Sequence, residues 1–235
     1  RMAHGVSYSG LLDGQGGSNT IDFSGYTTSR NVVLTGLGNI GGFKGTDTNL
    51  TLGFTNIHNL VGSSVRDSLT GLNAPSTFIL DDTPRYQSSS RSLTFSSFET
   101  LVGGTNNDIF EIHGHRTYDL LGGVGNDTFI FFDNAKLTGL IDGGSGNNNL
   151  DLSAYTSNLC VVFNELGQIS GFAGSLNALG TPIGSFDNIT TLWGGTSGNN
   201  TLTGLDSNAL WQIGSSYQYT VGQRSTQFAN FDTII

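Results

Sequence analysis

The chain has 235 residues, of which 35 are Gly, and its 18 acidic and 9 basic residues give a formal net charge of −9. This balance argues against a nucleic-acid binder, which needs a basic face, and the single Cys excludes a disulfide framework and Cys-based zinc fingers. No run of about 18 apolar residues occurs, so the sequence predicts no transmembrane helix.

Short alternating apolar runs follow one another along the chain. Phe129-Ile130-Phe131 and Val161-Val162-Phe163 are typical, and Gly, Asn or Asp bounds most such runs. Strong helix formers are scarce, with 1 Met among 235 residues, and no stretch has a helical apolar period. The sequence therefore predicts an all-β protein built from many short strands.

A long internal repeat divides the chain. Ile21–Thr27 recurs as Leu150–Thr156 at an offset of 129 positions, and Leu69–Leu72 recurs as Leu202–Leu205 at an offset of 133. The blocks keep the same order in both copies, which indicates repeated units of one architecture. The expected organisation is one continuous solenoid with an N-terminal leader or fragment edge at 1–10, a first unit at 11–139 and a second, incomplete unit at 140–235.

A shorter repeat of about 20 residues lies inside the long one. Aliphatic anchors, most of them followed closely by Gly, mark it at Leu12, Ile40, Leu60, Leu80, Leu101, Leu121, Ile141, Ile169, Leu192, Ile213 and Ile234. Such spacing predicts a parallel β-helix or β-solenoid with coils of about 20 residues, roughly ten to eleven in number. A pair of β-sandwiches is the alternative, although sandwiches do not need a fixed register.

Three segments interrupt this spacing, and several aromatic residues fit it. Asn31–Leu60 and Cys160–Leu192 are longer coils expected to carry outward loops, and Thr83–Ser90 is expected to bulge from one face. Seven phenylalanines are expected to point inward: Phe95, Phe98, Phe110, Phe129, Phe131, Phe228 and Phe231.

One turn carries a pattern with its own chemistry. Gly122–Ile130 fits the nonapeptide G-G-x-G-x-D-x-U-x, in which glycines allow tight turns and the Asp adds an anionic oxygen. Asp108 and Asp127 hold the same turn position one coil apart, so stacking would bring their carboxylates together. Because Ca²⁺ prefers six or more oxygen ligands, we predict one calcium site here. Its candidate ligands are Gly103, Asp108, Gly122, Gly123, Gly125 and Asp127.

These turns resemble those of the RTX family of secreted bacterial proteins, and more broadly the repeat regions of large bacterial surface proteins and adhesins. The resemblance implies a parallel β-roll or β-helix, export from the cell and Ca²⁺ between coils. The nonapeptide is complete only at Gly122–Ile130; the next copy has Asn148 in place of Asp. The alternative is that the turns only satisfy corner geometry, with both carboxylates facing solvent and capping N–H groups of their own turns.

Other residues offer weaker sites. Glu111, His113 and His115 alternate along one predicted strand, where a solvated face is commoner than a transition-metal site. Trp193 and Trp211 are predicted to be core or stacked residues, although an exposed Trp would suit a sugar.

No catalytic motif stands out, so we expect no enzyme. The predicted function is a rigid structural or adhesive segment of a secreted or cell-surface bacterial protein. Its expected partners are neighbouring repeats of the same chain and a glycan or host surface. The alternatives are a polysaccharide-acting β-helix enzyme, which glycan assays would detect, and a calcium-dependent S-layer component, which lattice formation would detect.

Overall fold

The computed structural model describes all 235 residues, and they form strands, turns and loops without any helix. No segment is therefore a helix that could span a membrane. The strands are numbered β1–β27 in chain order and form two large sheets and one small one.

The first sheet has 13 strands: β1 (Leu12–Asp13), β3 (Asn31–Leu37), β4 (Phe43–Asp47), β5 (Leu50–Ile57), β7 (Ser68–Thr70), β11 (Thr100–Gly104), β14 (Asp119–Gly123), β17 (Leu140–Asp142), β19 (Leu159–Leu166), β20 (Phe172–Ala178), β21 (Thr181–Ile189), β23 (Thr201–Thr203) and β27 (Thr233–Ile234). The second sheet has 12: β2 (Thr20–Asp22), β6 (Asn59–Val61), β8 (Ser76–Leu80), β9 (Arg85–Ser88), β10 (Arg91–Ser96), β12 (Asp108–Ile112), β15 (Thr128–Phe131), β18 (Asn149–Asp151), β22 (Thr191–Trp193), β24 (Ala209–Gln212), β25 (Gln218–Val221) and β26 (Arg224–Ala229). The small sheet pairs β13 (His115–Thr117) with β16 (Lys136–Thr138).

The middle of the molecule is a regular parallel coil. From β11 to β18 the chain passes alternately from the first sheet to the second, and each strand pairs in parallel with its counterpart on the next coil. Leu101 pairs with Leu120, and Leu120 pairs with Ile141, all three fully buried. The all-β, largely parallel architecture predicted from the sequence is therefore confirmed.

Four antiparallel meanders interrupt this coil. β3–β4–β5 and β19–β20–β21 fold back within the first sheet, and β8–β9–β10 and β24–β25–β26 do so within the second. The prediction of outward loops in Asn31–Leu60 and Cys160–Leu192 is wrong, because the additional residues of both segments form strands of the first sheet. The bulge expected at Thr83–Ser90 is wrong for the same reason, since it contains β9 with the fully buried Tyr86.

The aliphatic anchors mark the coil only in part. Ile40, Ile169 and Ile213 are exposed, because they lie in turns of the meanders and not on core strands. Leu121 is displaced by one residue: it pairs with Val102, while Leu120 occupies the buried position opposite Leu101. Each meander places three strands of one sheet within a single coil. The number of 20-residue intervals in the sequence therefore does not equal the number of coils.

Stacked aromatic rings run through the core between the sheets. Phe78, Phe110 and Phe129 lie on successive strands of the second sheet, with ring centroids 5.0 Å apart at each step and nearly parallel planes. Six of the seven phenylalanines expected inside are buried, and Phe231 packs against the core while partly exposed. Packing of these rings in the core therefore supports the same register between coils as the backbone hydrogen bonds do.

The two sequence copies use equivalent contacts. The Tyr86 hydroxyl accepts a hydrogen bond from the Leu72 N–H at 2.8 Å, and the Tyr219 hydroxyl accepts one from the Leu205 N–H at 2.6 Å. Both tyrosines are fully buried on the central strand of a meander in the second sheet. The unit boundaries at 10/11 and 139/140 stay a prediction from the sequence.

Removing the central ring of the stack should destabilise the fold strongly. Phe110→Ala is expected to lower the free energy of unfolding by about 3–5 kcal/mol, because the fully buried ring leaves a cavity between its two neighbours. The neighbouring Ile109 points outward and is 37% exposed, so Ile109→Ala should lower it by less than about 1 kcal/mol. Urea unfolding followed by circular dichroism measures both, and equal losses would contradict the stacked core.

Candidate calcium-binding turns

Three successive turns of the regular coil share one construction, in which an Asp or Asn folds back over a Gly five positions earlier. A Cβ atom at Gly122 would lie 2.4 Å from Asp127 Oδ2, and one at Gly103 would lie 2.6 Å from Asp108 Oδ2. Any side chain at these glycines would displace the carboxylate. The Gly-x4-Asp spacing is therefore a packing requirement of the turn.

A second glycine requirement is conformational. Gly104, Gly123 and Gly125 have φ angles of 142°, 98° and 152°, in the region that L side chains rarely adopt. The G-G-x-G pattern at Gly122–Gly125 thus combines a position without room for Cβ with positions of positive φ. This explains why the sequence repeats glycine at these places.

The turns are joined by a ladder of backbone-to-side-chain hydrogen bonds. The Asp108 N–H donates to Asp127 Oδ1 at 2.8 Å, and the Asp127 N–H donates to Asn148 Oδ1 at 3.0 Å. Asp108 Oδ1 accepts a hydrogen bond from the Ser76 hydroxyl at 2.5 Å. Each acidic side chain therefore caps a backbone N–H or binds a hydroxyl on the preceding coil.

The other oxygen of each carboxylate has no partner. Asp108 Oδ2 and Asp127 Oδ2 are buried and make no hydrogen bond, and the two residues are 1% and 0% exposed. Burial raises the pKa of Asp108 to about 6, and the Asp127 charge adds to this effect. Burial also raises the pKa of Asp127 to about 6. Each of two adjacent coils therefore carries a buried carboxyl group whose charged form is disfavoured by burial.

The structure brings together the two acids named from the sequence but arranges them differently from the solvent-facing alternative. Both carboxylates are buried, and Asp127 caps the N–H of a neighbouring coil, not of its own turn. The Gly125 N–H donates to the Ser145 carbonyl at 3.0 Å, and the Gly123 carbonyl accepts from the Ser145 N–H at 2.9 Å. The role of these residues as calcium ligands stays a prediction.

The donor set fits a cation in part. Two buried carboxylate oxygens without hydrogen bonds suit a hard cation. No group of three Asp, Glu, His or Cys side chains in the chain is arranged to hold a metal. Any further ligands would therefore be backbone carbonyls or water.

A fourth turn of this kind, whose looser glycine pattern with Asp67 is visible in the sequence, lies at Gly62–Asp67. Asp67 Oδ1 accepts from the Arg30 N–H at 2.6 Å and from the Ser63 hydroxyl at 2.8 Å, and its Oδ2 accepts from the Ser63 N–H. Both carboxylate oxygens are thus occupied. The turn keeps the same Gly-x4-Asp spacing, and a Cβ at Gly62 would lie 2.5 Å from Asp67 Oδ2.

The weaker candidates separate in the structure. Glu111 and His113 lie 3.7 Å apart, and the His113 ring stacks on Phe132 at 3.8 Å. His115 belongs to β13 in the small sheet, so the expectation of three alternating residues on one strand is wrong. Trp211 packs against Tyr219 with the two rings tilted by 45°, whereas Trp193, predicted to be core or stacked, is 45% exposed on the outer face.

Glycine-rich turns stacked between parallel strands define a repeat domain of the RTX type. The family model described as "Peptidase M10 serralysin C terminal" matches residues 10–206, so the chain belongs to this family. The family is the non-catalytic C-terminal repeat region of secreted proteins, and its RTX-type repeats generally bind calcium. A comparison with curated proteins finds no match.

The raised pKa values predict an unusual dependence of stability on pH in the presence of a chelator. The folded carboxyls titrate near 6 and the unfolded ones near 3.8, so the folded state binds protons more tightly. Stability is then greatest when both states are protonated and falls as pH rises from about 4 to about 7. Hydrogen bonds from Asn56 and Ser24 lower the pKa of Asp13 and Asp22, which affects stability only at lower pH.

Melting temperatures in EDTA across this range test the prediction. Asp127→Asn keeps an acceptor for the Asp108 N–H and removes one buried charge, so its melting temperature should fall less with rising pH. Asp151→Asn, on an outer position of β18, is the control, and its melting temperature should change with pH as that of the unsubstituted protein does. A melting temperature that rises over this pH interval would contradict the burial argument.

Proposed function

We propose that the chain is a rigid repeat segment of a bacterial extracellular or cell-surface protein, which spaces or presents an adhesive surface and is stabilised by Ca²⁺ at the Asp108–Asp127 pair. Parallel strands and a continuous core give the rigidity, because each coil rests on its neighbours. The family's place in secreted proteins supports an extracellular location.

One observation carries the calcium part of this proposal: two buried carboxylate oxygens on adjacent coils have no hydrogen-bond partner. Like charges so placed repel each other in a medium of low dielectric constant. A bound cation would remove the repulsion and supply the missing contacts. Asp108 and Asp127 would hold the ion through these oxygens, and the glycine turns would keep side chains away from them.

Calcium should raise the thermal stability of the chain. A ligand that binds only the folded state adds about 2.7 kcal/mol at 100 times its dissociation constant. For a chain of this size that corresponds to a rise in melting temperature of about 5–10 °C. Calorimetry with CaCl₂ or EDTA at neutral pH measures the shift.

Two variants with the same turn type make the test specific. Asp127→Asn removes an unpartnered carboxylate and should abolish most of the calcium-dependent shift. Asp67→Asn changes an Asp whose two oxygens are already hydrogen-bonded, so the shift should persist although the starting stability falls. A shift that survives Asp127→Asn, or no shift and no heat of binding in the unchanged chain, would overturn the calcium proposal.

A further inference from the structure

A polar cleft lies on the outer face of the second copy and reaches the turn that contains Asn147. Its volume is about 400 Å³, and no hydrophobic residue lines it. It lies where β22, the hairpin of β25 and β26, and the turn before β20 meet. Its principal side chains are Asn147, Thr191, Gln218, Gln223, Arg224 and Gln227.

Aromatic residues continue this cleft along the same face. Thr191 and Gln227 also line an adjoining cleft of about 180 Å³, which contains Trp193 and Tyr217. Both aromatic side chains are 45% exposed, although large aromatic residues elsewhere in the chain mostly fill the core. In strand register Trp193 lies opposite Ala229, whose small side chain covers little of the indole.

The outward positions form a straight row across the strands. Asn149 pairs with Thr191, Thr191 with Gln227, Gln227 with Gln218, and Gln218 with Gln212. At about 4.8 Å between strands, these five positions span roughly 20 Å. The four positions from Thr191 to Gln212 therefore offer regularly spaced amide and hydroxyl groups to an extended ligand, whereas Asn149 Oδ1 is buried.

The charge of the cleft favours a neutral ligand. Arg224 is the only charged residue that lines it, and its guanidinium already donates to the Ile169 carbonyl. Asp151 lies beside Trp193 in register, and the whole chain carries a net charge of −9. A polyanion would be repelled.

From this chemistry we propose that the cleft and its aromatic extension bind a neutral oligosaccharide. Amide side chains donate and accept hydrogen bonds at once, which matches sugar hydroxyls, and an exposed indole offers a flat apolar surface to the C–H face of a sugar ring. Pockets of this kind orient ligands with a few polar groups beside an apolar contact. The proposal deepens the adhesive part of the function above and does not depend on calcium.

The first copy has equivalent strand pairs and keeps the arginine, as Arg91, but it lacks the two glutamines and the tryptophan. Where the second copy has Gln218 and Gln227, the first has Arg85 and Thr94, in equivalent strand pairs. Val61 stands in the first copy at the position of Trp193, again in an equivalent pair with β10 or β26. The binding surface therefore belongs to the second copy alone, and the first copy supplies matched controls.

Binding is measured on the full chain with linear hexasaccharides of glucose, mannose and N-acetylglucosamine as probes. Because Trp193 and Trp211 are the two tryptophans, Trp211→Phe leaves Trp193 as the fluorescent reporter and keeps an aromatic ring packed against Tyr219. We expect saturable binding of at least one hexasaccharide, by calorimetry and by a change in Trp193 emission.

Variants locate the site. Trp193→Ala and Gln227→Ala should each weaken binding by about tenfold or more, because Gln227 lines both clefts and Trp193 is an exposed ring of the adjoining one. Val61→Ala and Thr94→Ala, the matched changes in the first copy, should leave it unchanged. Gln227 is exposed, so its variant tests the site even if Trp193→Ala alters the fold, which circular dichroism would show.

Three results would overturn the inference: none of the hexasaccharides binds, binding is unaffected by Trp193→Ala and Gln227→Ala, or only a polyanion such as heparin binds. The calcium-dependent melting described above is a separate measurement. If no glycan binds, the melting measurements still test the proposed structural role independently.

Discussion

The hydrogen bond from a turn N–H to an Asp or Asn side chain on the next coil is the interaction on which the regular part of this molecule depends. The Asp108 N–H donates to the Asp127 side chain, and the Asp127 N–H donates to the Asn148 side chain, so successive turns are held in alignment. These bonds form only because Gly122 and Gly143 leave room for the folded-back side chains of Asp127 and Asn148. With the turns aligned, the strands that follow pair in register, and their phenylalanines stack ring on ring.

The ladder itself does not need charge. Asn148 performs the same capping with a neutral amide, whose nitrogen donates to the Gly144 and Asn188 carbonyls at 3.3 and 3.2 Å. Where Asp67 is used, neighbouring donors occupy both of its oxygens. Asp108 and Asp127 are the two ladder acids with an oxygen left over, and burial raises the pKa of each to about 6. An Asn at either position would keep the turn and remove the electrostatic penalty, which supports a bound cation as the reason for an acid there.

The sequence was sufficient for the strand class, the inward phenylalanines and the adjacency of Asp108 and Asp127, because each follows from local alternation or from one turn motif. The meanders could not be predicted, since antiparallel strands such as β9 and β20 alternate in the same way as parallel ones and occupy similar lengths of chain. The register error at Leu121 has a simple cause: two consecutive leucines fit the pattern equally, and only packing selects Leu120. The exposure of Trp193 was visible in principle, because it follows Leu192 and must point the other way.

The two copies share inward and turn contacts and differ at outward positions. Inward and turn contacts are repeated, as with Tyr86 and Tyr219, or with Arg91 and Arg224, whose guanidiniums donate to the carbonyls of Ile40 and Ile169. Outward residues are free to differ, because a strand position that faces solvent contributes little to the ladder or the core. Val61 and Trp193 therefore occupy equivalent places on nearly the same backbone with different chemistry. The repeated coil sets the positions of the side chains, and the residue type at each outward position determines what its side chain can contact.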